Sequence, residues 1–174
     1  MKATLPRGEA YEFLELGAHL ERAETTTRLL LVKVPGLETT EPAAAHNAAL
    51  SNLLRSCGAF DAFRKQGSDE LRAEPVVSYL LLERSVPRAV NFCLEQSLNS
   101  IRAISGDALR PERAIGRVFA ELSFTDLHTL DASTELLLER VRRGLAESAD
   151  EIGTSYFTTR VIPPGPYAQQ QQQQ

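Results

Sequence analysis

An apolar seam along residues 13–34 constrains the fold of this chain more than any other feature. Its members recur at alternating steps of three and four residues, which places them on one side of an α-helix. They are Phe13, Leu16, Leu20, Ala23, Thr27, Leu30 and Val34. A helix with such a seam buries it against other helices, so the chain is expected to form a helical bundle.

A second stripe lies beside the seam and carries charges in its middle. It consists of Leu14, Gly17, Glu21, Glu24, Arg28 and Leu31. Glu24 precedes Arg28 by four residues, the favourable order for an ion pair on a helix. Because the stripe borders a core-facing seam, these charges are expected to be partly buried, where a ligand or another arginine must balance them.

Two arginines from elsewhere in the chain are candidates to join Glu21, Glu24 and Arg28. They are Arg55, in the second predicted helix, and Arg88, in the first turn of the fourth. Arginine binds carboxylates with two parallel hydrogen bonds, and a helix N-terminus favours an anion nearby. These five residues therefore form either a buried charge network or a binding site, and the sequence leaves both readings open.

Proline and glycine residues divide the rest of the chain into helices. The first helix must end before Pro35, which lacks an amide donor. Further helices are expected at about 43–65, from Pro75 to about residue 83, from a cap at Ser85, from Pro111, and at roughly 125–156. No segment has the two-residue period of a strand, so the predicted class is all-α, a bundle of about five to six helices.

Length and composition suit one helical domain over residues 1–157. Residues 158–174 contain the run PPGP and end in six glutamines, so they are expected to be a disordered tail. The formal net charge of -4 argues against a nucleic-acid partner. The chain lacks an apolar run long enough for a signal peptide or a membrane span, which predicts a cytoplasmic protein.

The cysteines and histidines do not form a pattern with an evident chemistry. Cys57 and Cys93 sit in apolar helical segments and are predicted to be buried free thiols. The spacing of Glu and His residues does not match a di-iron bundle, and glycine-rich phosphate loops are absent. The sequence therefore predicts neither a metal site nor a cofactor.

Four blocks together resemble the bacterial alpha-E domain family, an all-helical family of largely unknown function. They are FLELGAHLERAETTTRLL (13–30), LLRSCGAFDAFRK (53–65), VVSYLLLERSVPRAVNFCLEQ (76–96) and ELLLERVRRGLAESADEIGTSYF (135–157). Family members look about twice this length, and the chain resembles their C-terminal half. A half-length chain exposes surface that its missing half would cover, which predicts a homodimer. Ala18 and His19 stand where the family commonly has an arginine and an aromatic residue.

The resemblance implies a role in a predicted amide-ligase system. Alpha-E proteins look like components encoded beside ATP-grasp-like and transglutaminase-like proteins that make or modify peptides. The first hypothesis is therefore an accessory, scaffold or ligand-binding subunit of such a system. The alternative is an enzyme for a peptide or amino-acid substrate, with Glu21 or Glu24 as acid, base or amine ligand and an arginine among Arg28, Arg55 and Arg88 holding a carboxylate.

Overall fold

The computed structural model describes residues 6–37, 43–66, 71–127 and 130–158, and within these ranges all regular structure is helical. It contains α1 (Glu9–Lys33), α2 (Ala43–Ser56), α3 (Phe60–Arg64), α4 (Ala73–Leu82), α5 (Val90–Ala103), α6 (Leu109–Ser123) and α7 (Ala132–Ile152). The predicted all-α helical bundle is confirmed. Apart from Thr158, the predicted tail lies outside the described residues.

Four long helices form the main bundle. α1 packs against α5 and α7, and α6 packs against the same two helices, so α1 and α6 lie across the bundle from each other. The other three helices add a second layer, in which α4 contacts α1, α5 and α6 while α2 contacts α3 and α4. Across the described ranges, no helix is both long and apolar enough to cross a membrane.

The apolar seam of α1 lies in the core, as its period predicts. Ala23, Leu30 and Val34 are fully buried, whereas Phe13 and Leu20 near the N-terminal end are half-buried. Thr27 is the polar member of the seam, and its hydroxyl donates to the carbonyl of Ala23 at 2.8 Å. This hydrogen bond allows a hydroxyl to lie in an apolar core without an unsatisfied donor.

The predicted length of the second helix, about 43–65, is wrong because the helix breaks near Gly58. Gly58 has a φ of +60°, in the left-handed region that glycine enters without a steric penalty. The chain turns there and resumes as α3 at Phe60. This break accounts for a seventh helix beyond the five to six expected.

Two predicted helix starts are also wrong. The helix expected to be capped by Ser85 begins at Val90, because residues 83–89 form a connection instead. In that connection, the amide and hydroxyl of Ser85 both donate to the carboxylate of Glu83, at 3.0 and 2.8 Å. The last helix begins at Ala132 rather than Thr125, since Asp131 caps it by accepting from the amide of Ser133 at 2.8 Å.

Candidate functional site

The charged stripe of α1 faces solvent rather than the core. Glu21, Glu24 and Arg28 are all exposed, as are Leu14 and Gly17. The predicted burial of these charges is therefore wrong. α5 and α7 cover the side of α1 that carries the seam, and the next stripe around the helix lies at the edge of that contact.

Glu24 and Arg28 form the ion pair that their spacing predicts, but on the surface. The nearest nitrogen and oxygen are 3.7 Å apart, and the side chains are 53% and 70% exposed respectively. In water such a pair contributes only about 0.3–0.5 kcal/mol. The pair alone therefore has no need of a ligand or a further arginine.

The two arginines expected to complete the network lie elsewhere. The guanidinium of Arg55 is 4.1 Å from the centre of the Phe60 ring, in a cation–π contact. Arg88 precedes α5 instead of lying in its first turn, and its carbonyl accepts from the hydroxyl of Thr26 at 2.9 Å. Its side chain is exposed, and its charge acts on the buried thiols of Cys57 and Cys93. Neither arginine lines the site described next.

Glu21 and Glu24 instead line a groove between α1 and α7 with a volume of about 560 Å³. Its walls combine apolar, small and charged residues from both helices and from the turn after α7. They are Phe13, Leu16, Gly17, Leu20, Glu21, Glu24, Arg142, Leu145, Ala146, Ala149, Asp150, Ile152 and Phe157. Two of the five predicted site residues are therefore brought together, with partners from α7 that the sequence did not connect to them.

Apolar side chains form the floor and one end of this groove. Leu16 of α1 and Leu145 of α7 are buried beneath it. At one end, the ring of Phe13 lies 5.1 Å from that of Tyr156 and 5.5 Å from that of Phe157. Because the start of α1 meets the residues that follow α7, the two helices run antiparallel along the groove.

The rim of the groove is acidic. Glu21, Glu24 and Asp150 are exposed carboxylates, while Arg142 is the cation among the lining residues. The guanidinium of Arg142 donates to Glu139 of its own helix at 2.9 Å, so it is already paired. The groove therefore presents an excess of negative charge above an apolar floor.

Both cysteines are buried free thiols, as predicted. Burial raises the pKa of Cys93 to about 11, and the charges of Arg22 and Arg88 only partly oppose this. Burial also raises the pKa of Cys57, against a hydrogen bond with Thr26 and the charge of Arg88. Because the thiolate is the nucleophilic form, these two side chains are poorly suited to covalent chemistry near neutral pH.

A second depression, of about 500 Å³, lies beside α3 and α4. Its lining includes Phe63, Tyr79, Glu83 and Arg84. Hydrogen bonds from the hydroxyl and amide of Ser85 lower the pKa of Glu83, so this carboxylate stays ionised at neutral pH. Among the residues that the structure describes, no group of three or more His, Cys, Asp and Glu side chains is placed to hold a metal ion.

Comparison with known families identifies the family of this chain. A family model named Alpha-E, described as a predicted alpha-helical domain with a conserved ER motif, matches residues 1–157. The chain belongs to the Alpha-E family. Searches of curated proteins and of solved structures gave no match for this Alpha-E chain.

The Glu-Arg dipeptide occurs four times within the matched span, at 21–22, 83–84, 112–113 and 139–140. Three of these copies take part in ion pairs between parts of the chain that are distant in sequence: Arg84 with Glu95, Arg102 with Glu112, and Arg140 with Glu121. In the first copy, Glu21 lines the groove and Arg22 is half-buried.

Sequence reasoning missed Arg22, Arg84 and Arg140. The repeated dipeptide was the signal that could have found them. Arg84 also lies 5.5 Å from the centre of the Phe119 ring, so its guanidinium bridges α6 and the carboxylate of Glu95. The repeated dipeptide thus contributes mainly to contacts between helices in this Alpha-E chain.

Proposed function

We propose that this Alpha-E chain is a non-catalytic binding subunit that holds a partner protein in the groove between α1 and α7. The observation that carries the proposal is the apolar floor of the groove beneath a rim of exposed carboxylates. Apolar surface supplies most of the free energy of protein association, and complementary charge supplies specificity and speed. Burial raises the pKa of both thiols, so neither cysteine is an activated nucleophile. This also supports a binding role.

The proposed partner is an ATP-grasp-type amide ligase, or the transglutaminase-like protein of the same system. The resemblance to the family supports this choice of partner class, whereas the groove supports the mode of binding. In this proposal the Alpha-E chain acts as an accessory or scaffold subunit of a system that makes or modifies peptides. The groove then serves as the contact surface, and the chemistry takes place on the partner.

Co-purification from the native host tests the proposal. The tagged chain should recover an ATP-grasp-type or transglutaminase-like protein, identified by mass spectrometry. Reversing the charge of the rim should abolish this recovery, because the partner surface would then face positive charge. The rim variant is Glu21→Lys/Glu24→Lys/Asp150→Lys.

A control variant with the same change in net charge separates local from general electrostatics. It places the three lysines at exposed carboxylates outside the groove: Asp61→Lys/Asp126→Lys/Glu135→Lys. This control should retain the partner. Recovery of the unmodified chain alone, as a monomer, would contradict the proposal, and so would equal recovery by both variants.

One observation favours the alternative, an enzyme or carrier for a small amine or amino acid. Glu21 and Glu24 lie at the same groove, where either carboxylate is able to bind an ammonium group. The arginines predicted to hold a substrate carboxylate do not line that groove, so this reading would assign the role to Arg142. Calorimetric titration with free amino acids and with amino-acid amides tests this reading. Because Arg142 would bind the free carboxylate, the free amino acids should then bind more tightly than the amides.

A further inference from the structure

We infer that the occupant of the groove between α1 and α7 is a basic amphipathic helix, supplied by the partner. This inference rests on the proposed function and specifies the chemistry of the partner surface. It depends on the length of the groove, the small residues on its two walls, and the negative charge of its rim.

The groove has the length of a helix of about three turns. Along α1 its lining runs from Phe13 to Glu24, and along α7 from Arg142 to Ile152. At a rise of 1.5 Å per residue, each wall is about 15 Å long. A helix of that length presents apolar side chains at i, i+3 or i+4, and i+7 to an apolar groove.

Small residues on both walls let a third helix come close. Gly17 on α1 and Ala146 and Ala149 on α7 are exposed and line the groove. A Cβ added at Gly17 would meet nothing within 4 Å. Because the distance between packed helices depends on the side chains at their contact, this surface accepts a helix between α1 and α7.

The negative charge of the rim favours a basic helix as the occupant and disfavours two others. Glu21, Glu24 and Asp150 would meet the same three carboxylates if a second copy of the chain docked symmetrically through this groove. Like charges brought together in this way oppose association. An anionic lipid surface would be repelled for the same reason, whereas lysines and arginines flanking an apolar face would pair with the rim.

A synthetic peptide provides the probe. Its sequence would place leucines at helical spacing on one face, lysines on the other, and a single tryptophan on the apolar face. The chain itself contains no tryptophan, so emission excited at the red edge of the indole band reports only the peptide. Binding should shift this emission to shorter wavelength, since the indole leaves water for the apolar floor. A scrambled peptide of identical composition should bind at least about tenfold more weakly.

Neutral variants test whether the rim recognises the peptide. Glu21→Gln/Glu24→Gln/Asp150→Asn should weaken binding about tenfold, as expected for three exposed pairs lost together. The matched control, Asp61→Asn/Asp126→Asn/Glu135→Gln, changes the net charge equally and should bind as the unmodified chain does. Gly17→Leu should also abolish the shift without changing charge, because its side chain occupies the groove.

Several outcomes would overturn the inference. Equal binding of the scrambled peptide, or equal weakening by the control variant, would show that attraction is only general electrostatics. Competition by a small amine at one equivalent would identify a small-molecule site instead. A peptide of opposite charge that binds as well would exclude the role of the rim. If the peptide fails while an ATP-grasp-type protein still co-purifies and is lost from the rim variant, the inference is wrong, and the proposed function stands with a different partner surface in the groove.

Discussion

Gly144 of α7 lies so close to Val118 of α6 that a Cβ at this glycine would overlap the Cγ2 methyl of Val118. The close approach of these two helices therefore depends on the absence of a side chain. A glycine inside a helix ordinarily lowers stability by about 1 kcal/mol relative to alanine. At Gly144 the packing with α6 supplies the reason for glycine.

Alanine substitutions at two glycines should have opposite effects on stability. Gly144→Ala is expected to lower the free energy of unfolding by about 1–3 kcal/mol, because the methyl group overpacks the contact with Val118. Gly116→Ala should instead raise it by about 0.5–1 kcal/mol, since a Cβ there meets open space in the interior of α6. Urea unfolding followed by circular dichroism measures both. A gain in stability for Gly144→Ala would contradict the close packing.

The cap of α7 should contribute measurably to stability. Asp131→Ala removes the side-chain acceptor for the amide of Ser133 and is expected to cost about 1 kcal/mol. Asp131→Asn keeps an acceptor at this position and should be nearly neutral. Thermal and urea unfolding of the two variants provide the comparison. If Asp131→Asn lost as much as Asp131→Ala, charge rather than the hydrogen bond would be responsible.

Ion pairs at the surface should differ in their contribution according to what else the side chains touch. Arg28→Ala is expected to lower the free energy of unfolding by less than about 0.5 kcal/mol, because its pair with Glu24 is solvent-exposed. Arg84→Ala should cost more than Arg28→Ala does, since it loses both Glu95 and the contact with the Phe119 ring. A double-mutant cycle with Glu95→Ala isolates the pair. A large loss of unfolding free energy in Arg28→Ala would contradict the surface ion pair and favour the buried charge network.

The raised pKa of Cys93 predicts a loss of stability in alkali. The pKa of about 11 in the folded state lies above the ordinary value of 9.0 for a thiol, so protonation of Cys93 favours the folded state. The stabilisation is full below about pH 9 and is lost as the pH rises towards 11, by an amount on the order of 2 kcal/mol. Unfolding measured from pH 8 to 11 should show this decline.

Substituting the cysteine provides the control for that decline. Cys93→Ala should flatten the change in unfolding free energy between pH 9 and 11. The remaining slope would belong to other groups whose pKa burial raises, namely Cys57, Tyr79 and Tyr156. An unchanged slope in Cys93→Ala would mean that the thiol does not titrate in this range.

Patterns along the chain were sufficient for the fold class and for most of the core. Most of the seam of α1 is buried, α1 ends before Pro35, and the two thiols are buried, because each of these depends on local spacing or on backbone chemistry. The break at Gly58 was missed because a glycine inside an apolar pattern is compatible with both a continuous helix and a left-handed turn. The surrounding packing decides between them.

The candidate site shows where sequence reasoning stopped. The spacing of Glu21 and Glu24 shows that they share a side of α1, and this follows from the helical period alone. Their exposure, and the groove that they line together with Asp150, depend on where α5 and α7 pack against α1. A helical period fixes the angle between two stripes but not how far a neighbouring helix reaches around them. The sequence alone thus determined the helix, its seam and its family, whereas tertiary packing determined that the charged stripe became the rim of a groove.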